Sequence, residues 1–394
     1  MSPVRVVLAI VLASACATHA APLTLVGDPM AIERASSASF SPDAPAARAN
    51  SVAYVAGGNA LRALTLGATP RLVTLADVSD VGPCESVFAY ESSRKDVDAN
   101  ARTRLGVACA GTNSFLIYAV DASGKSAKRT HEMKNVDRIA DPRDVVVVND
   151  TLAFIASGTH ARVVVARLDP SEREAPTLVA STFQLSGVDA LELGPASRQT
   201  IRAMSGQTRR VTTLRYTPAG TLQLVGSVKD SRLDRASGAC VGNGDRTYTF
   251  VVSPVHGGTF AVFNSSNFGA PEFLSGIHAN SGFDDGFDEA PSTAADLQGA
   301  HDVSVRGSDA YVAAKSLGAI VIVDVTDPSK PAVRDKLQSP ELAGVDRVFA
   351  SPDGAFVIAL VNATSDGPSS LVVASANDAI ISQIPTRRRL FAAS

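Results

Sequence analysis

The chain has 394 residues, 45% of them hydrophobic and 19% charged, with a formal net charge of -3, a balance that supports a globular body with a sizeable core. Charges of both signs are mixed along the sequence, which argues against nucleic acid as a partner. The one compact basic run, Arg387-Arg388-Arg389, lies at the far end and reads as a solvated tail.

Val6 to Ala17 is an apolar run behind Arg5 followed by small residues, so residues 1–20 read as a secretory signal peptide with cleavage after Ala17 or Ala20. A lipoprotein signal ending at Cys16 is a variant reading, opposed by Ala13 where a larger aliphatic residue is usual; an uncleaved anchor is another. No later segment is long and apolar enough to span a bilayer, so the expectation is an exported, soluble protein, periplasmic or surface-exposed if bacterial.

After a short strand at Leu23 to Val26, placed to complete a sheet begun by the C-terminus, the chain reads as a series of small antiparallel meanders. The first runs from about Ser36 to Leu75, and the second from Glu85 to about Met133 with a long loop after Tyr90. The third starts at Asp144, the fourth near Asp189, and the fifth follows Ala239. The sixth, beginning at Gly299, is the clearest. Val303–Val305, Asp309–Ala314, Ala319–Val325 and Val333–Leu337 form its strands, with turns at Gly307-Ser308 and Ser316–Gly318. The seventh runs from Asp346 through AFVIALV and SLVVAS to AIISQI.

Ala319 to Val325 is apolar on both alternating faces, which requires cover on both sides. A four-stranded sheet of this kind is too small to stand alone and must stack on others. Val145 to Ala190 and Val303 to Val348 are each 45 residues apart, a spacing typical of propeller blades. Pro70, Pro176, Pro271 and Pro331 each precede a final strand. The expected fold is therefore all-β: a seven-bladed β-propeller of four-stranded antiparallel blades over 21–386, closed by pairing of N- and C-terminal strands, with 387–394 as a tail. A parallel β-helix and two stacked sandwiches are the competing all-β readings.

Ile320-Val321-Ile322-Val323-Asp324, followed by Val325-Thr326-Asp327-Pro328 and Pro331, resembles the LVIVD repeat, with isoleucine for its first leucine. Ala300-His301-Asp302-Val303 and Asp309-Ala310-Tyr311-Val312-Ala313 resemble its upstream part, and the units near Ser36 and Asp144 match it partially. The resemblance implies a secreted or surface β-propeller and assigns no activity.

Of the four cysteines, Cys16 falls within the signal. Cys84 and Cys109 flank a hairpin that places their sulfurs opposite each other, and in an oxidising compartment they are expected to pair. Cys240 is left as a buried thiol. The chain contains no CxxC, GxSxG or HExxH motif and no tryptophan, so zinc ribbons, the common nucleophile elbow, zincin chemistry and tryptophan stacking of sugars lack support. Asp96-Val97-Asp98-Ala99-Asn100 imitates an EF-hand start, but Ala101 and Val107 stand where its glycine and glutamate belong.

Loops leading into first strands share one face, around the channel mouth. The longest, Ser281 to Gly299, carries Asp284, Asp285, Asp288, Glu289 and Asp296, with His278 before it and His301-Asp302 after it. Carboxylates at this density are suited to calcium, or with the histidines to a softer metal; the structural alternative is an acidic, solvated loop, and no cofactor is assigned. His301-Asp302, Arg143-Asp144 and Asp346-Arg347 occupy equivalent places and predict a polar ring whose members satisfy one another. Asn149, Asn264 and Asn362 head glycosylation sequons at turns. These features point to a monomeric, non-enzymatic extracellular scaffold that binds a protein or small ligand. The alternatives are a metal-assisted hydrolase or lactonase using Asp284, Asp288, His301 or Asp302, and a structural matrix component.

Overall fold

Successive side chains on a strand face opposite ways, so Ile320-Val321-Ile322-Val323 has two apolar faces to cover. Val321 and Val323 pack with Phe250, Phe260 and Val262 of the preceding sheet. Ile320 and Ile322 pack with Val348, Val357 and Ala359 of the following one. Each sheet is covered by its neighbours on both sides, as the unbroken apolar runs require.

The computed structural model describes residues 24–375 apart from 26–29, 32–34, 41–51, 58, 67–69, 79–80, 95–101, 135–137, 161, 183–184, 186, 195, 237, 243–246, 255–256, 267–268, 279–293, 353 and 363–368. Its strands form seven antiparallel sheets. Blade 1 is Ala35–Phe40, Val52–Gly57, Ala60–Thr65 and Arg71–Thr74. Blade 2 is Ser86–Glu91, Thr103–Cys109, Ser114–Val120 and Ala127–Lys134. Blade 3 is Pro142–Val148, Leu152–Ser157, Arg162–Arg167 and Thr177–Ser181. Blade 4 is Ala190–Leu193, Thr200–Ser205, Arg210–Tyr216 and Leu222–Lys229. Blade 5 is Gly238–Gly242, Tyr248–Ser253, Thr259–Asn264 and Glu272–His278. Blade 6 is Ala300–Arg306, Asp309–Ala314, Ala319–Asp324 and Ala332–Gln338. Blade 7 takes Val345–Ala350, Phe356–Val361 and Ser370–Ser375 from the end of the chain and Thr24–Leu25 and Met30–Ala31 from its beginning.

The first strand of each blade neighbours the first strands before and after it, and that of blade 7 returns to blade 1, so the first strands line the axis. Every interface has an apolar core of its own. The junction of the chain's two ends is held by Phe356, Ile358, Leu360 and Leu371 of blade 7 against Ala53, Val55 and Leu64 of blade 1. In blade 7, Thr24 and Leu25 pair with Ser375 and Ala374, and Met30 and Ala31 pair with Leu371 and Ser370. The outer place in that sheet is thus filled by the N-terminal segment; AIISQI, read from sequence as part of the seventh unit, lies outside the described residues.

Pro70, Pro176, Pro271 and Pro331 immediately precede the fourth strands of blades 1, 3, 5 and 6, where a missing N–H leaves the ladder intact. The three-residue connection from the first to the second strand of blade 3 places Asn149 and Asp150 at φ 47 and 50, left-handed positions that asparagine and aspartate tolerate better than most residues. Among the described residues no helix is long and apolar enough to cross a membrane.

Cys84 and Cys109 form a disulfide across 25 residues of chain, enclosing the long loop of blade 2. Both residues are buried in the core shared by blades 1 and 2. Replacing both by alanine is expected to lower stability by about 3 kcal/mol, chiefly by freeing the unfolded chain. Denaturant titration of the oxidised protein and the double variant checks this; equal midpoints would remove the bond's stabilising role.

Candidate functional site

The expected polar ring is present, and its geometry comes from a repeated irregularity. In blades 1, 3, 6 and 7 the pairing of the first strand with the second shifts by one residue, so Ser36, Arg143, His301 and Asp346 are bulged. A bulge re-aims the side chains around it. The residues that follow, Ser37, Asp144, Asp302 and Arg347, therefore hold equivalent positions. In blades 3, 6 and 7 two adjacent polar residues ahead of an aliphatic run mark these equivalent positions in the sequence, though not the bulge itself.

The residues after the bulges tie one blade to the next. Ser37 Oγ of blade 1 accepts from the Val87 N–H of blade 2 at 3.3 Å. Asp144 Oδ2 of blade 3 accepts from the Leu191 N–H of blade 4 at 2.7 Å. Asp302 Oδ2 of blade 6 accepts from the Val348 N–H of blade 7 at 3.0 Å. A second rung repeats the pattern two residues on: Ser39 accepts from Ala89 N–H and Ser304 from Ala350 N–H, both at 3.0 Å. These bonds satisfy backbone donors on the inner edge of the ring. Asp144 also receives the Ser86 hydroxyl of blade 2 at 2.7 Å and its own neighbour's Val145 N–H at 2.8 Å, so one carboxylate joins three blades.

Arg347 takes the equivalent position in blade 7, where its charge acts on both Asp144 and Asp302. Burial nevertheless dominates both carboxyls: Asp144 is raised above the ordinary carboxylate value, and Asp302 is pushed up to about 6. Asp346 behaves differently. Burial raises it, but the hydrogen bond from Lys315 and the charges of His301, Lys315 and Arg347 outweigh that and hold it below the usual range. Lys315 Nζ lies 2.5 Å from Asp346 Oδ1, and Asn362 Nδ2 donates to Oδ2 at 3.0 Å. His301 Nδ1 stands 3.2 Å from the Asp346 carbonyl oxygen, and burial lowers the ring's proton affinity despite the nearby carboxylate.

The structure brings His301, Asp302, Asp346 and Arg347 together at the junction of blades 6 and 7. Asp284, Asp285, Asp288 and Glu289 lie outside the described residues. Asp296, from the same acidic stretch, is drawn to Lys336 on the outer strand of blade 6 at 2.6 Å rather than toward His301 and Asp302. His278 is buried. Among the described residues no three His, Cys, Asp or Glu side chains are grouped to hold a metal ion. Asn149 is exposed at its turn, Asn264 accepts the Ser266 N–H, and the Asn362 amide nitrogen is committed to Asp346.

On the opposite face, the start of the long loop of blade 2 is clamped to blade 3. Arg94 and the buried Arg104 both pair with Glu172, which sits at φ 57, and Asp150 Oδ2 accepts from Ser93 N–H at 2.6 Å. Tyr90 beside them is raised by burial and by the charge of Glu172. An open depression of about 480 Å³ lies over Arg167 to Thr177. Sequence reading missed this clamp because its members are separated by 68 and 78 residues.

Residues 299–336, from the start of blade 6 into its fourth strand, match the LVIVD repeat. No curated protein matches the chain. A Bacteroides fragilis protein provisionally assigned as a 6-phosphogluconolactonase superposes with a TM-score of 0.57 at 11% identity, over 88% of this chain and 89% of that one. A Lactobacillus plantarum protein gives 0.57 at 12% identity, over 77% and 85%. Saccharomyces cerevisiae Sqt1 gives 0.56 at 12% identity, over 89% and 88%. At these identities the likeness establishes the shared fold and nothing about activity.

Proposed function

We propose that the protein is an exported, non-enzymatic β-propeller that binds an extracellular protein or small ligand through the loops of the face bearing His301 and Asp302. The observation that carries this reading is the commitment of that face's carboxylates to the ring: Asp144, Asp302 and Asp346 accept from neighbouring strands, Lys315 and Asn362. Such a ring fixes the ends of the first strands, from which the loops of this face leave, and fixed anchor points lower the ordering cost of recognition. The acidic connection 279–293 joins the last strand of blade 5 to the first strand of blade 6 and supplies the longest of these loops. Export is supported by the character of residues 1–20 and by the disulfide, a bond kept in oxidising compartments. Closure of the ring within one chain supports a monomer.

A hydrolase or lactonase would need Asp284 or Asp288 to meet His301 or Asp302 at one centre, and Asp302 already holds the Val348 N–H. Replacing 281–293 with a Gly-Ser segment of equal length is expected to abolish capture of the partner from the native extracellular fraction. Replacing 95–101, between first and second strands and therefore on the other face, is expected to leave capture unchanged. Loss with the second replacement alone would overturn the choice of face, and metal-dependent turnover of a lactone would overturn the non-enzymatic reading.

A further inference from the structure

Blade 4 contains a buried cation with donors left over. Arg202, on the strand Thr200–Ser205, is 3% exposed. Its Nη2 donates to the Ser265 carbonyl of blade 5 at 3.1 Å. Among the described residues its Nε and Nη1 are buried with no hydrogen-bond partner, and so is the hydroxyl of Thr200, two residues earlier on the same face of the strand. These groups converge: a Cβ added to Gly194 would collide with both Thr200 Oγ1 and Arg202 Nη1, so the bare glycine forms the wall beside them.

The electrostatics at Arg202 agree with this geometry. Burial and the neighbouring positive charge of Arg198 push the Arg202 guanidinium down to about 10, against partial support from Glu192. Arg198 itself reaches the Ser266 carbonyl, so two guanidinium groups from blade 4 meet consecutive carbonyls of blade 5. A buried guanidinium with unpaired nitrogens carries a desolvation cost that an acceptor of negative charge relieves.

We propose that Thr200 and Arg202, at the junction of blades 4 and 5, bind a small inorganic anion that accepts hydrogen bonds from Arg202 Nη1 and the Thr200 hydroxyl. The ion offsets the buried charge of Arg202, whose Nη2 already reaches blade 5. Halide and oxyanion share this acceptor chemistry, and the experiment separates them.

The full oxidised chain is melted in sodium gluconate, chloride, bromide and phosphate at one pH and ionic strength. The expected result is a saturable rise in midpoint with chloride and bromide, or with phosphate, relative to gluconate. Thr200→Val, close in shape, is expected to weaken the apparent affinity at least tenfold, and Arg202→Met to remove the response. No saturable response in the natural protein, or equal responses in all three proteins, overturns the site. If Arg202→Met does not fold, Thr200→Val still decides. Where the response is to halide, a crystal soaked in bromide gives an independent reading: an anomalous peak beside Arg202 Nη1 supports the site, and an ordered water with no anomalous signal there overturns it.

Discussion

A protein beginning at Ser36, without the N-terminal strands, is expected to lose on the order of 5 kcal/mol of stability or to fail to close. Thr24–Leu25 and Met30–Ala31 are the outer pieces of blade 7, and removing them bares the edge of Ser370–Ser375. Met30 packs on the core that joins the last blade to the first, beside Leu371 and Val373. Re-exposing two or three such side chains costs about 1.5–3 kcal/mol each. An open hydrophobic edge also invites pairing with another chain. The expected readouts are a lower melting midpoint, faster proteolysis within the strands of blades 7 and 1, and a shift to larger species in size-exclusion chromatography. A truncated protein with the natural midpoint would show that closure does not depend on the N-terminus. In that event, further removal of 376–394 tests whether AIISQI substitutes for it.

That closure shows what the sequence makes legible. Apolar runs such as Ile320–Val323 announce strands covered on both faces, and the prolines at 70, 176, 271 and 331 mark the starts of outer strands, because each reflects a local constraint on a strand. The match between Leu23–Val26 and the last sheet was also legible, since a short orphan strand at one end of a repeat array has few places to go. The clamp of Arg94 and Arg104 on Glu172 was not, because it depends on which loops of two blades share a face and how far each side chain reaches. At the candidate site the equivalence of Arg143-Asp144, His301-Asp302 and Asp346-Arg347 was visible as paired polar residues ahead of aliphatic runs. The bulge was hidden, as was the division of labour it imposes. The bulged residues pair at the rim: Arg143 with Asp189, and His301 and Lys315 with Asp346. Asp144 and Asp302 turn inward to hold the next blade.

Asp144→Ala is expected to destabilise the protein by about 4 kcal/mol, because it leaves the Ser86 hydroxyl and the Val145 and Leu191 N–H groups without their acceptor, at about 1–3 kcal/mol for each one that stays buried and unpaired. Asp144→Asn keeps an acceptor and should recover part of the loss. Asp302 makes a sharper test through pH. Its folded value of about 6 lies above the value of about 3.9 for a free aspartate. Folding therefore favours its protonated form, and the stability so gained is complete below pH 3.9 and is lost as pH rises through 6. A difference of about two pH units corresponds to about 3 kcal/mol. His301 works in the opposite sense: burial lowers its folded value, so it contributes stability above its free value that is lost as pH falls. The natural protein alone thus mixes the two effects, and the difference between it and Asp302→Asn separates them. Asparagine keeps an oxygen for the Val348 N–H but cannot ionise, so the variant should gain on the natural protein by about 3 kcal/mol between pH 4 and pH 7. Urea titrations of both proteins across that range measure the difference directly. A constant difference would mean that Asp302 titrates like an exposed carboxylate, and the latch between blades 6 and 7 would then carry no buried charge.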